Sequence, residues 1–377
     1  MNQGIYIHIP FCVKKCFYCD FASAAGTSAE MEAYIEALCR EIAAVGQRQL
    51  RAETVYIGGG TPTSLPLSLL ERLLRAVQQE FLLTGNVEYT VEANPGTVDM
   101  AKLSLLRQYG VNRISLGVQS FQNHLLRRCG RIHTAEDALK ALTEIAAAGF
   151  ENCSLDLIYG LPGQSLDDLK ESLELALSQK IRHISVYGLQ VEEGTVFFAQ
   201  REAGKLILPE EDAAEEMYEY LCRVLPEHGY QRYEISNFAI PGFESRHNLR
   251  YWQNLPYIGL GAAAHSYDGN CRRENYADRS AYIEAVQACG RAFSAEHVLT
   301  TAEKMEEFCF LALRTREGIS ARAFATLFGC TLESVYGEKI SRLQQQGLLD
   351  KMEQQVFLTR DGMKFGNRVF MEFLLDE

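Results

Sequence analysis

The chain has no excess of basic charge. In 377 residues, 37 Lys and Arg stand against 49 Asp and Glu, a net charge of −12 and a pI near 5.3. Nucleic acid and anionic membranes are bound through clustered Lys and Arg, and no long basic block occurs, so neither is expected as the main partner. No apolar run approaches the roughly 18 residues that a membrane-spanning helix needs. Met1-Asn-Gln-Gly lacks the basic and apolar segments of a secretory signal. The expectation is a cytoplasmic protein with reduced thiols; a transient membrane association and a homodimer both stay open. Tryptophan occurs once, at Trp252. Also missing is a fourth cysteine near the first three, and much of the chemistry turns on that gap.

Those three stand in Tyr6-Ile-His8-Ile-Pro-Phe-Cys12-Val-Lys-Lys-Cys16-Phe-Tyr18-Cys19, after an alternating apolar strand. A structural zinc needs a fourth ligand close by, and no second cysteine pair follows. An iron-sulfur cluster normally takes four thiolates; with three, one iron is open to a cofactor or substrate. The other eight cysteines (Cys39, Cys129, Cys153, Cys222, Cys271, Cys289, Cys309 and Cys330) have no ligand spacing and read as small buried hydrophobes.

With 47% hydrophobic and 23% charged residues, the chain is an ordinary globular one, long enough for a large domain and a small one. Strand-like runs at 5–9, 54–57, 88–92, 113–118, 152–158 and 183–189 alternate with helical periodicity at 28–45, 67–81, 100–109, 135–148, 166–179 and 210–228. This is the pattern of an α/β fold with parallel strands and crossover helices, six βα units in all and two short of a closed eightfold barrel. The site belongs at the carboxyl ends of the strands, where the polar motifs fall.

Gly58-Gly-Gly-Thr-Pro-Thr63 follows the second run, and its glycines let backbone amides approach a ligand. A plain tight turn would read the same. Glu92 ends the third strand, either as a solvated acid or as a partner for an ammonium or ribose hydroxyls. Gln119 ends the fourth, and Arg131 follows, either as a surface cation or as a two-armed clamp for a carboxylate. Asp156 lies inside an apolar run, where an unpaired charge is costly, so a partner is expected for it.

Together, the cysteine motif with Gly58-Gly-Gly-Thr-Pro-Thr63, Val91-Glu-Ala-Asn-Pro95, Gly117-Val-Gln-Ser-Phe121 and Asp156-Leu-Ile-Tyr-Gly-Leu-Pro-Gly163 resembles the radical S-adenosylmethionine (SAM) superfamily. Within it, the resemblance is to the branch of oxygen-independent coproporphyrinogen III oxidase and its relatives. It implies a partial (β/α)6 radical SAM barrel, a 4Fe-4S cluster on Cys12, Cys16 and Cys19, and SAM chelated at the open iron. Matched motif by motif, it assigns SAM contacts to Tyr6, Tyr18, Gly59, Gly60, Thr61, Glu92, Gln119, Arg131 and Asp156. The decarboxylating oxidases carry a fourth cysteine where this chain has Phe21, and a long extension before the motif where this chain has 11 residues. Decarboxylation of coproporphyrinogen III to protoporphyrinogen IX is therefore the alternative, not the leading expectation.

Ser245-Arg-His247-Asn-Leu-Arg-Tyr251-Trp252 brings an imidazole and two large aromatics together in what reads as a loop-rich stretch. It fits either a packing loop or a haem contact, since a histidine nitrogen ligates haem iron and aromatic faces cover a porphyrin. The resemblance extends to this motif, which marks the haem-chaperone members of the branch. It implies that the chain binds haem b, with His247 as the candidate ligand, and passes it to respiratory haem proteins. His265, in the glycine-rich 257–267 run, is a secondary ligand candidate or else a structural histidine. Residues 1–230 are expected to form the core, 231–291 a barrel-closing segment, and 292–377 an α+β winged-helix-like domain. The would-be recognition helix of that domain carries Glu333, Glu338, Lys339 and Arg342, hardly a DNA-binding face.

Overall fold

The structure, a computed structural model, describes residues 2–46 and 50–375. Strands β1 (Gln3–Ile9), β2 (Arg51–Gly59), β3 (Leu82–Ala93), β4 (Arg113–Gln119), β5 (Asn152–Tyr159) and β6 (His183–Gly188) follow one another with helices between. Each pairs in parallel with its successor. Alternation along β1 explains its two faces: Ile5, Ile7 and Ile9 are fully buried in a core shared with Tyr34, Ile35 and Leu38 of the helix Ser28–Gly46. Tyr6 and His8 point the other way, toward the barrel interior. Capping boxes start two crossover helices, Thr134 with Asp137 and Ser165 with Asp168. The α/β fold and its six βα units are as expected.

The stretch read as loop-rich is more ordered than its sequence suggests. It contains β7 (Gln231–Arg232), β8 (Asn237–Ala239), β9 (Tyr257–Leu260), β10 (His265–Tyr267) and β11 (Cys271–Asn275), and β12 (Phe293–Val298) follows. β8 adds antiparallel to β6, while β9 adds parallel to β1 on its free side. The result is one twelve-stranded sheet in the order β12-β11-β10-β9-β1-β2-β3-β4-β5-β6-β8-β7. Side chains from β2, β3, β5 and β6 line one cavity, so the sheet curves around it as a partial barrel.

The Ser245–Trp252 motif is also not a loop. Arg246–Trp252 is a helix that plugs the end of the barrel where the strands begin. The Ser245 side chain accepts from the Asn248 amide, and the Glu88 carboxylate, near the start of the paired part of β3, accepts the Arg246 and His247 amides at 2.9 Å each. A carboxylate there satisfies donors that the first helical turn leaves open.

Helices Thr301–Leu313, Ala321–Phe328 and Leu332–Gln345 pack with a small sheet of β13 (Ile319–Ser320), β14 (Leu349–Met352) and β15 (Gln355–Leu358). They surround a separate core that includes Phe324, Leu332, Tyr336 and Phe373. Glu333 pairs with Lys351 and Arg342 with Glu372, so charges of the Leu332–Gln345 helix are neutralised within this unit. Among the described residues no helix is long and apolar enough to cross a membrane.

Candidate functional site

The segment after β1 is held at both ends. The Cys12 amide donates to Ala24 O at 3.1 Å, the Phe17 amide to Cys129 O at 2.9 Å, and the Phe197 amide to Phe17 O at 2.9 Å. This fixes the three-cysteine loop at the carboxyl end of the sheet, over a cavity of about 420 Å³. Cys12, Cys16 and Cys19 all line it, together with Tyr18, Gly59, Gly60, Thr61, Glu92, Gln119, Arg131 and Asp156. Tyr6 does not. It stacks on Tyr56 at 6.2 Å, its hydroxyl pairs with His8 Nδ1 at 3.0 Å, and it lines a neighbouring cavity.

The Gly-Gly-Thr turn crosses directly over the end of β1: the Gly60 amide donates to Ile9 O at 2.8 Å and the Thr61 amide to Phe11 O at 2.7 Å. A Cβ on Gly60 would sit 2.6 Å from Phe11 O, and Gly59, at φ +104°, would press one against the His8 ring. Both positions therefore require glycine.

From this turn a hydrogen-bonded chain runs to the cysteines. Cys12 Sγ lies 3.6 Å from Thr61 Oγ1, Asn94 Nδ2 donates to Thr61 Oγ1 at 2.8 Å, and Arg131 Nη2 donates to Asn94 Oδ1 at 2.6 Å and to Gly117 O. Arg131 Nη1 then donates to Cys16 Sγ at 3.5 Å. Among the described residues, Arg131 Nε is buried without a hydrogen-bond partner.

Glu92 accepts the Tyr56 hydroxyl at 2.7 Å and the Gly59 amide at 3.0 Å. Burial pushes its carboxyl up to about 7, helped by the charge of Asp156 and opposed by those hydrogen bonds and by Arg113. Burial likewise raises Asp156, against the pull of the Ser185 and Ser115 hydroxyls and of Arg113. The Ser115 hydroxyl donates to both Asp156 oxygens at 3.4 Å. Two neighbouring carboxyls with raised affinity for protons suit a ligand that brings positive charge. Gln119 is a non-glycine residue at φ 70°, a strained backbone retained at a cavity wall.

Several lining residues were not singled out from sequence. Arg113 is 2% exposed, is the one charged residue of its strand, and faces this cavity with Tyr56, Asn94, Tyr187 and Asn248. A lone charge at the start of a buried strand was a usable signal for Arg113. Asn248 belongs to the motif around His247, but nothing in the sequence signals that it faces the cysteine cavity, because the helix that carries it was read as a loop.

His247, the expected haem ligand, is 1% exposed. Its Nδ1 pairs with Thr54 Oγ1 and its Nε2 with the Tyr251 hydroxyl, both at 2.8 Å. The ring stacks on Tyr56 at 5.2 Å. Burial, with Arg250 and Arg113 nearby, lowers its affinity for protons to about 3. With both nitrogens occupied, His247 has no lone pair to offer an iron in this conformation; it holds the barrel floor. Of the other cysteines, Cys129, Cys153, Cys271 and Cys309 are buried as expected, but Cys289 is exposed.

Among the described residues no three His, Cys, Asp or Glu side chains converge on a point as around a single ion. A cluster that takes one thiolate per iron needs them spread around a larger body, and three thiols around a cavity fit that donor set.

The sequence matches the Radical SAM superfamily model over residues 6–176 and the HemN C-terminal domain over 299–365. It is 43% identical to the "Heme chaperone HemW" of Lactococcus lactis subsp. lactis (strain IL1403), over 100% of this chain and 98% of that one. It is 42% identical to the protein of the same name from Bacillus subtilis (strain 168), over 99% of each. In fold it is similar to coproporphyrinogen III oxidase (HemN) from Escherichia coli, described as a radical SAM enzyme, with a TM-score of 0.87 over 99% of this chain and 90% of that one at 24% identity. Sequence motifs, cavity and full-length similarity agree: the chain belongs to the HemW family of the radical SAM superfamily.

Proposed function

We propose that this protein is a haem chaperone of the radical SAM type, which carries a 4Fe-4S cluster and SAM, binds haem b, and delivers it to respiratory haem proteins. The observation that carries this reading is the identity of 43% to a protein named heme chaperone over the whole chain, against similarity in fold alone to the oxidase. In this reading Cys12, Cys16 and Cys19 hold the cluster. Tyr18, Gly59, Gly60, Thr61, Glu92, Gln119, Arg131 and Asp156 hold SAM. When bound, the cluster supplies one electron to the sulfonium of SAM.

The chain's own residues then have definite tasks. Arg131, Asn94 and Thr61 tie the positions of Cys12 and Cys16 to the wall of the SAM cavity. An arriving ammonium would favour the ionised form of Glu92, because a neighbouring positive charge offsets the burial that raises its affinity for a proton. Residues 1–230 supply this core, 231–291 close it, and 292–377 cover its open side. Phe21, 61% exposed at the cavity rim, argues against the alternative, since the oxidases of the resemblance have cysteine there.

The test is anaerobic incubation of the reconstituted protein with haem and an apo-acceptor, and separately with SAM, a reductant and coproporphyrinogen III. Haem transfer without protoporphyrinogen formation is the expected result. Robust protoporphyrinogen formation would overturn the reading.

A further inference from the structure

Beside the cysteine cavity lies a second one of about 450 Å³, mainly apolar and open on one side, within the size range of small-molecule sites. Three separate elements bring rings to it: Phe21 from the cysteine loop, Tyr251 and Trp252 from the end of the floor helix, and Tyr257 at the start of β9. Tyr251 and Tyr257 meet edge to face at 4.6 Å. Trp252 is pinned under the Arg314 guanidinium at 4.4 Å. Aromatic walls held this firmly suit a flat, largely apolar ligand.

Two imidazoles line the cavity, and only one is available. His8 has both nitrogens engaged, with the Tyr6 hydroxyl at 3.0 Å and with Ala22 O at 2.9 Å. His265 is exposed to the cavity and has no side-chain hydrogen-bond partner among the described residues. Its backbone, by contrast, is tightly placed. It opens β10 opposite Glu274, and a Cβ on Gly259 would fall 2.0 Å from its carbonyl oxygen, so β9 must carry glycine there. Just before it, Ala263 lines the same cavity at φ 57°, a left-handed conformation that a non-glycine residue adopts at a cost. The local cation is committed elsewhere: Arg272 is bound to Glu307 through Nε at 2.5 Å and Nη2 at 2.7 Å. A ligand's carboxylates must therefore leave through the open side.

We propose that this cleft is the haem site, with His265 as the protein's axial ligand to the iron and the rings of Tyr251, Trp252 and Tyr257 enclosing the macrocycle. The proposal rests on the chaperone reading above. It separates two parts of one sequence motif: Tyr251 and Trp252 face the porphyrin, while His247 supports the floor beneath. Phe21 lines both this cleft and the cysteine cavity, and Tyr6 of the cleft stacks on Tyr56 of that cavity, so the two sites are neighbours.

Full-length, cluster-reconstituted protein is titrated anaerobically with ferric haem, followed by absorption and electron paramagnetic resonance. The wild type should give a Soret band and a histidine-ligated iron signal. His265→Ala, at an exposed position that leaves the core intact, should bind about tenfold more weakly or worse and lose that signal. His265→Gly should regain it on addition of free imidazole. His297→Ala, on the edge strand β12, should match the wild type. Leu311→Trp, which fills the cleft from the C-terminal unit, should compete with haem while His265 stays in place. Unchanged affinity and spectrum in His265→Ala, with haem bound normally by the wild type, would overturn the site and leave the chaperone reading standing. A wild type with no Soret band at all would remove both.

Discussion

Arg131 and Cys16 are far apart in sequence, yet Arg131 Nη1 sits 3.5 Å from Cys16 Sγ while Nη2 of the same guanidinium holds Asn94 at 2.6 Å. One side chain thus joins the cysteine loop to the wall of the cysteine cavity. Arg131→Lys keeps the charge but loses the two-armed geometry. SAM affinity should fall about tenfold, in line with the loss of one charge-assisted hydrogen bond, and iron content should change little. Calorimetric titration with SAM, alongside iron analysis, checks both.

Cys12→Ala, Cys16→Ala and Cys19→Ala should each lose most of the iron and the brown cluster absorbance. Cys271→Ala, a buried cysteine outside the cavity, should retain them. Equal iron in all four proteins would contradict the ligand assignment.

Glu92 gives the protein without bound SAM a pH signature. Its carboxyl is raised from 4.5 to about 7 by burial, so the folded state binds more protons than the unfolded one between those values. Stability is therefore greatest below the unfolded value and declines as pH rises from about 4.5 through about 7, by an amount on the order of 3 kcal/mol from this group. Glu92→Gln should flatten that decline in denaturation curves taken across the range. Identical slopes for both proteins would show that Glu92 is not the cause.

His247→Ala leaves Thr54 and Tyr251 without their partner and opens a cavity under Tyr56. It should cost about 2–4 kcal/mol of stability while the folded fraction keeps the haem spectrum of the wild type. A normal melting temperature with a lost Soret band would return His247 to the role of iron ligand.

The six parallel strands were legible because each is a buried apolar run closed by a polar end, as in the stretch from Ser154 through Asp156 to Gly160. The residues of the cysteine cavity were legible for the same reason: most of them sit at those ends. Tyr6 shows the limit. It shares β1 with the start of the cysteine loop, but its stacking on Tyr56 and its contact with His8 hold it against the other cavity. Strands β7 to β11 were missed because runs of two to five residues carry too little periodicity to register, and their pairing is fixed by distant partners such as β1. His247 was legible as chemistry but not as geometry. Only the fold shows Thr54 and Tyr251 closing on its two nitrogens.

The most direct test of the account is electron paramagnetic resonance of the reduced, reconstituted protein with and without SAM. The expected result is a cluster signal, dependent on Cys12, Cys16 and Cys19, whose g values shift when SAM is added. No cluster signal, or one that SAM leaves unchanged, would contradict the account at its base.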